Sequence, residues 1–375
     1  MKGKLKVLYL TMNPNRQSTT VPTELWFRCL SPKLFPVIVF DKKGPFFDWT
    51  SKSKIPSYHI SLPFPNKKFP IPFLMSLVKL ALIVKKYDIQ LIHANEHDIY
   101  PISKFLSNLL KIPIVVSVHS IIPKDFGLWA FKNSKYLKRI YFVSKSAMQN
   151  SLPALKNLPK NIFMVLPNCI DPNKYYPDPK IKLLAKERLN LSNAFLVGAA
   201  AALQPIKQLE HIVYALSKIE NNSVKFVLAG GPKAGFESYV QAFLDFASDI
   251  LKNRFIYLGH LDDLLEFYNL IDVYVSTSKE EAFGISVLEA LSTGCPVIAY
   301  PSKGALKEII NERIGIVIPQ DRIDALTEAI IFLKNNEELR NSMGIEARKY
   351  VIENYSMETI SHLLWEDYLQ ILNQN

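Results

Sequence analysis

Between Glu281 and Glu289 the chain reads E-A-F-G-I-S-V-L-E, two carboxylates on either side of a glycine and the start of a helical apolar pattern. Residue types at this spacing suit a ligand that is both polyhydroxylated and anionic. Glu281, in a loop, can accept hydrogen bonds from sugar hydroxyls. Glu289, on the early turns of a helix, can accept from a ribose diol. Between them Gly284 permits close backbone approach, and the N–H groups around Gly284 to Ser286 are the unpaired donors of a helix N-terminus, able to hold sugar oxygens or a diphosphate. The competing reading is structural: a solvated Glu281 and a Glu289 that only caps.

Positioning such groups requires a strand before the loop and a helix after it. The stretch Asp272 to Tyr300, DVYVSTSKEEAFGISVLEALSTGCPVIAY, supplies both. DVYVS reads as a buried strand, and Ile285 onward as a helix with Leu288 and Leu291 turned inward. Gly294 and Pro296 stop that helix before the next strand. Similar short apolar runs recur along the chain: KVLYL, PVIVF, IQLIHA, PIVVSVH and RIYFVS, then FLVGAA, KFVLAG, RFIYLG, DVYVSTS, PVIAYPS and GIVIP. Continuous rather than alternating, and separated by stretches of helical period, they suit parallel sheets buried on both faces. The pattern runs twice, and the Pro/Asn/Asp-rich LPNCIDPNKYYPDPKIK connects the two sets, with the boundary near Pro177. In doubly wound sheets ligands sit beyond the carboxyl ends of the strands, so the loops there, including His93 to Glu96, His119, Ala199 to Lys207, Ser276 to Gly284 and Pro301 to Gly304, are the ones to inspect.

Length and composition agree with two domains. The 375 residues are 49% hydrophobic, enough for a large core. Cys29, Cys169 and Cys295 are too scattered for a disulfide framework or a zinc or redox pair. The opening MKGKLKVLYLTM is too short in its apolar part for a signal peptide and reads as the first strand. Ile71 to Val84 is shorter than the roughly 20 apolar residues a span requires. It carries Lys79 and reads as an amphipathic helix of the core. The net charge of +11 is unevenly placed: residues 1–180 hold 27 Lys and Arg against 9 Asp and Glu, and residues 181–375 hold 18 against 25. The basic half suits an anionic partner, and a lysine-rich solvated surface is the bland alternative. No recognisable nucleic-acid motif accompanies the charge, so nucleic acid is not expected.

The string E-A-F-G-I-S-V-L-E, with the Glu289-Ala290 pair and the following G-x-P-V, resembles the E-x7-E motif of retaining glycosyltransferase family 4, which has the GT-B fold. Weaker likenesses follow in the family's order: DIQLIHANE, VVSVHS, YFVSKSAM, VLPNCID, KFVLAGGP, RFIYLGHLDDLLEFYNLIDVYVSTS and the closing YSMETISHLLWEDYLQIL. The resemblance implies an α/β chain of two Rossmann-like domains with parallel sheets facing across a cleft. Residues 1–177 would bind the acceptor, residues 178–355 the nucleotide sugar, and residues 356–375 would form a helix crossing back to the first domain. It implies a hexosyltransferase that moves a sugar, with retention, from a UDP- or GDP-sugar donor to a glycan or lipid-linked acceptor. Polysaccharide, capsule, lipopolysaccharide or glycolipid synthesis is the implied setting.

In the roles the family implies, Glu281 positions the donor sugar, His119 approaches it from the first domain, and Glu289 binds ribose. Phe283, Gly284, Ile285, Ser286 and Lys207 complete the donor site. No D-x-D or His/Cys cluster is present, and neither a metal nor a cofactor is expected. His93 matches a position that reads as structural. The chain departs from the family at several points. Ala202 stands where a diphosphate-binding arginine is usual, with Arg16 or Lys303 as candidate substitutes. The loop MNPNRQSTTVP lacks the usual glycine pair, Cys169 replaces the glycine of P-N-G-I-D, and Ala305 replaces a second glycine after Gly304. A non-catalytic relative and a sugar-nucleotide epimerase of the same fold are the competing readings. A cytoplasmic protein, peripheral on an anionic inner membrane face through its basic half, is the expected setting.

Overall fold

The computed structural model describes residues 3–15, 19–65, 68 and 70–373. Arg16 therefore lies outside the described residues. The chain divides into two units, Met1–Cys169 with Met357–Asn375, and Ile170–Ser356.

In the first unit the strands are β1 (Leu5–Thr11), β2 (Leu34–Phe40), β3 (Ser57–His59), β4 (Leu91–Ala94), β5 (Ile114–Val118), β6 (Leu137–Phe142) and β7 (Phe163–Val165). They form one parallel sheet in the order β3-β2-β1-β4-β5-β6-β7. Alternate side chains serve opposite cores, as a pleat requires. Leu8, Leu10, Val37, Val39, Ile92 and Val116 pack toward one layer that includes Leu80 and Leu106. Val7, Tyr9, Ile38, Phe40, Val115 and Tyr141 pack toward the other, with Trp26, Leu364 and Tyr368.

The last helix, Met357–Asn373, belongs to this unit and is locked down by polar bonds beneath its apolar face. Asp367 accepts from Arg139 Nε and Nη2 at 3.0 and 2.6 Å and from the Tyr141 hydroxyl at 2.6 Å. The Tyr368 hydroxyl lies 2.9 Å from that of Tyr9 and 2.5 Å from His93 Nδ1.

In the second unit β8 (Phe195–Ala200), β9 (Val224–Ala229), β10 (Phe255–Tyr257), β11 (Val273–Ser276), β12 (Val297–Ala299) and β13 (Gly315–Val317) form a second parallel sheet, ordered β10-β9-β8-β11-β12-β13. In both sheets the order reverses beside the first strand, between β1 and β4 and between β8 and β11. In doubly wound sheets the loops leaving such neighbours diverge, and the carboxyl ends there are the usual ligand position.

All eleven apolar runs of the sequence lie on strands. β3 and β7 are the additions, three-residue edge strands that are half-buried or exposed and carry no core pattern. The helix Pro70–Tyr87 differs from its expected amphipathic character. It is apolar on its outward side as well as its inward one, with Ile71, Leu74, Met75, Val78 and Leu82 more than half exposed. Cys169 adopts no left-handed conformation, so its turn does not need the glycine it replaces.

Candidate active site

In the second unit the loops leaving β8, β11 and β12 are tied together by their backbones. Lys279 N–H donates to Ile206 O at 2.9 Å, and Lys303 N–H donates to Lys279 O at 3.1 Å. The buried Thr277 hydroxyl donates to Lys207 O at 2.8 Å. This lacing fixes the single turn Pro205–Lys207 against the loop that carries Glu281. Lys207 Nζ then donates to Glu281 Oε2 at 2.6 Å, with side chains only 17% and 22% exposed. The pair is a cation and an acceptor held side by side, one fit for a phosphate oxygen and the other for a hydroxyl.

Gly304 makes the packing of these loops possible. A Cβ there would lie 1.5 Å from Glu281 O, so any side chain would push the two loops apart. Gly284 opens the following helix, Ile285–Ser292, from a left-handed φ of 101°, and a Cβ on it would meet Leu306 Cδ2 at 2.5 Å. Leu288 and Leu291 are fully buried, which anchors the helix. Its first N–H groups, at Ile285 and Ser286, lack intrahelical acceptors, as at any helix start. Phe283 is buried, its ring 6.1 Å from that of Tyr355, so its side chain packs. The Tyr274 hydroxyl sits 3.0 Å from both Ala200 O and Ser286 Oγ and holds the first turn over the end of β8.

Glu289 is held by tyrosines. The Tyr268 hydroxyl donates to Oε2 at 2.8 Å, and the Tyr175 hydroxyl also bonds the carboxylate. Burial pushes Glu289 up to about 7, opposed by those two hydroxyls and by the Lys174 ammonium. No periodicity or spacing in the sequence marks Tyr175 or Tyr268. They come from the connection and from the helix Leu265–Leu270, and only folding brings them to Glu289. Ala202, in the loop after β8, is exposed. Lys303 is exposed and lies 3.5 Å from Glu280.

In the first unit His119 directly follows β5. Its Nε2 is 2.9 Å from Asn95 O, which makes that nitrogen the N–H donor, and its Nδ1 is buried with no hydrogen-bond partner among the described residues. Burial, with His97 adding to it, lowers the imidazole to about 4, so the ring is neutral near pH 7 and Nδ1 is an unsatisfied acceptor. His93 is the opposite case. Fully buried and lowered to about 3 by burial, it bonds Tyr368 and Ser117 through its two nitrogens and stacks on Tyr9. Its contacts are those of a packing residue.

The glycine-free first loop is braced by side chains. Glu96 accepts from the Thr11 hydroxyl at 2.7 Å, Met12 N–H at 3.2 Å and Asn95 Nδ2 at 3.1 Å. Asn95 also bonds Thr23 and Thr19 O. Burial raises Glu96 to about 7 against these three donors. Among the described residues no group of three or more His, Cys, Asp or Glu is placed to hold a metal ion.

Comparison with known proteins agrees with this geometry. A model of the family "Glycosyltransferase Family 4" matches residues 35–174, and one of "Glycosyl transferases group 1" matches residues 182–350. The chain is 27% identical over 307 residues to an uncharacterized glycosyltransferase of Methanocaldococcus jannaschii, covering 76% of this chain and 75% of that protein. It is 23% identical over 377 residues to the UDP-Gal:alpha-D-GlcNAc-diphosphoundecaprenol alpha-1,3-galactosyltransferase of Escherichia coli, covering 95% and 94%. The crystal structure of Anabaena HepE in complex with UDP superposes with a TM-score of 0.86 at 19% identity, over 98% of this chain and 100% of that one. Together with the two doubly wound sheets and the Glu281 to Glu289 segment, these likenesses establish that the chain belongs to the family 4 glycosyltransferases of the GT-B fold.

Proposed function

We propose that the protein transfers a hexose, with retention of configuration, from a UDP- or GDP-sugar to a glycan or lipid-linked acceptor in cell-surface polysaccharide or glycolipid synthesis. The observation that carries this reading is the Lys207–Glu281 pair at the start of the helix Ile285–Ser292. The named donor and acceptor of the E. coli relative, and HepE structures holding UDP or UDP-glucose, support the choice of ligand class.

In this mechanism Glu281 accepts hydrogen bonds from the donor sugar and Glu289 from the ribose. The bond from the anomeric carbon to the diphosphate oxygen breaks while the acceptor oxygen bonds the same face. The acceptor proton passes to the leaving diphosphate. Lys207 and the N–H groups of Gly284 to Ser286 stabilise the charge that develops there, the term that dominates many such sites. No metal takes part in the proposed scheme. His119, its imidazole neutral near pH 7, is the first unit's residue that approaches the donor sugar in this scheme.

Ala202 favours one competing reading, a non-catalytic relative, because it removes a guanidinium from the diphosphate side. Thermal shift against a panel of UDP- and GDP-sugars, followed by a transfer assay, separates the two readings. A donor that raises the melting temperature and is consumed supports transfer. A donor that stabilises without turnover in the presence of any acceptor supports the relative, and no response to any nucleotide sugar contradicts both.

A further inference from the structure

The helix Pro70–Tyr87 packs Phe73, Leu77, Leu80 and Val84 into its own core. Its outward side is no more polar. Ile71, Leu74, Met75, Val78 and Leu82 are 53% to 67% exposed, and at helical periodicity they fall within an arc of about 100°. The stripe runs about 17 Å along the axis from Ile71 to Leu82. A helix apolar on its outward as well as its inward side leaves that outer stripe, among the described residues, without a partner. The apolar surface continues onto the helix Tyr100–Leu110. There Phe105 is 45% and Leu109 63% exposed, and Phe105 meets Phe73 edge to face at 5.2 Å between ring centres.

The charges beside the stripe have one sign. Lys79 and Lys85 flank it, both exposed, and Lys111 follows Leu109 and Leu110. No Asp or Glu occurs between residues 49 and 87 or between 99 and 123. None of the helices described is long and apolar enough to cross a membrane.

We propose that this face docks on an anionic lipid surface, with the helix lying in the plane of the bilayer. The apolar stripe enters the boundary between headgroups and acyl chains, and the flanking lysines reach the lipid phosphates along their own apolar stems. Charge complementarity selects lipid over the alternatives. A second copy docked face to face would bring Lys79 and Lys85 against their own equivalents with no acidic residue to answer them. Protein interfaces are depleted in lysine, whereas interfacial helices are bordered by it. The inference goes beyond the transfer reaction and does not depend on it, because binding is measured without donor or acceptor.

The test is sedimentation of the full chain with vesicles of phosphatidylcholine alone or mixed with phosphatidylglycerol, at about 0.1 M and about 1 M salt, where the screening length falls from roughly 10 to 3 Å. The protein is expected to bind the mixed vesicles, and to keep part of that binding in high salt. Val78→Asp with Leu82→Asp should weaken binding at least ~10-fold at both salt concentrations. Lys79→Glu with Lys85→Glu should weaken it mainly at low salt. All four positions are exposed, so circular dichroism and any donor-induced thermal shift should match the parent.

Wild-type protein that ignores both vesicle types overturns the proposal. So do Val78→Asp/Leu82→Asp variants that bind as well as the parent. A parent that sediments as a dimer, with the same double variant monomeric, also overturns it and assigns the face to a second copy.

Discussion

Replacing Tyr268 by Phe removes one hydroxyl from Glu289 and little else, since the ring keeps its packing against Tyr175 and Tyr274. The lost bond is 2.8 Å long and ends on a carboxylate. A hydrogen bond to a charged group contributes about 1.5–3 kcal/mol, and one pKa unit corresponds to about 1.4 kcal/mol. The Glu289 carboxyl, already pushed up to about 7, should therefore climb by roughly 1–2 units. At pH 7 the parent is about half ionised and the variant about 1–10% ionised. In the proposed mechanism the carboxylate is the form that accepts from a ribose diol, so donor affinity at pH 7 should fall about 5–50-fold. Burial raises this acid's pKa, so the binding-competent form is gained as pH rises and lost as it falls through about 7. The deficit of the variant should accordingly close by about pH 9–10. Calorimetric titration of a stabilising nucleotide sugar across that range measures both curves. A pH-independent affinity in the parent, or an acid limb unmoved in Tyr268→Phe, would refute the coupling between the tyrosine and the carboxylate.

Other substitutions test neighbouring contacts. Gly304→Ala places a methyl where Glu281 O lies 1.5 Å away, so it should cost more than about 3 kcal/mol or displace the Glu281 loop. Urea unfolding and donor titration report the two outcomes, and parent-like behaviour in both would contradict the packing. Asp367→Ala leaves Arg139, 14% exposed, without its carboxylate, and should destabilise the first unit by about 3–5 kcal/mol in chemical denaturation. A loss below about 1 kcal/mol would mean the pair is worth no more than a surface bridge. Ala202→Arg restores a guanidinium at an exposed position of the β8 loop. Donor affinity should rise several-fold, and an unchanged or weaker dissociation constant would show that the diphosphate is held elsewhere.

Legibility in the sequence followed local physics. Strands such as FLVGAA and PIVVSVH are buried on both faces, so their apolar runs are continuous and visible. β3 and β7 are short edge strands with one exposed side and carry no such signal. The segment Ile285–Ser292 was readable as a helix because Gly284, Gly294 and Pro296 mark its ends and Leu288 and Leu291 its inner face. The tyrosines around Glu289 were not readable, because Tyr175 and Tyr268 are far from it in sequence and meet it only through the sheet order. The brace from Glu96 to Thr11 was hidden for the same reason. It spans 85 residues and substitutes side-chain bonds for the glycines that a reader of local turns would seek. The helix Pro70–Tyr87 misled in the opposite direction. Its apolar residues satisfy a core pattern, and composition alone does not show that only half of them face inward.

Glu281→Ala, measured in parallel for donor binding and for sugar transfer, bears most directly on the proposed reaction. Glu281 stands beside Lys207, and in the proposed mechanism it accepts from the donor sugar while the nucleotide is held elsewhere along the segment. Transfer should fall at least ~100-fold, while the dissociation constant of the nucleotide-sugar donor changes no more than ~10-fold. Turnover close to that of the parent, with the same donor, would contradict the assignment of the Glu281 to Glu289 segment as the centre of the reaction.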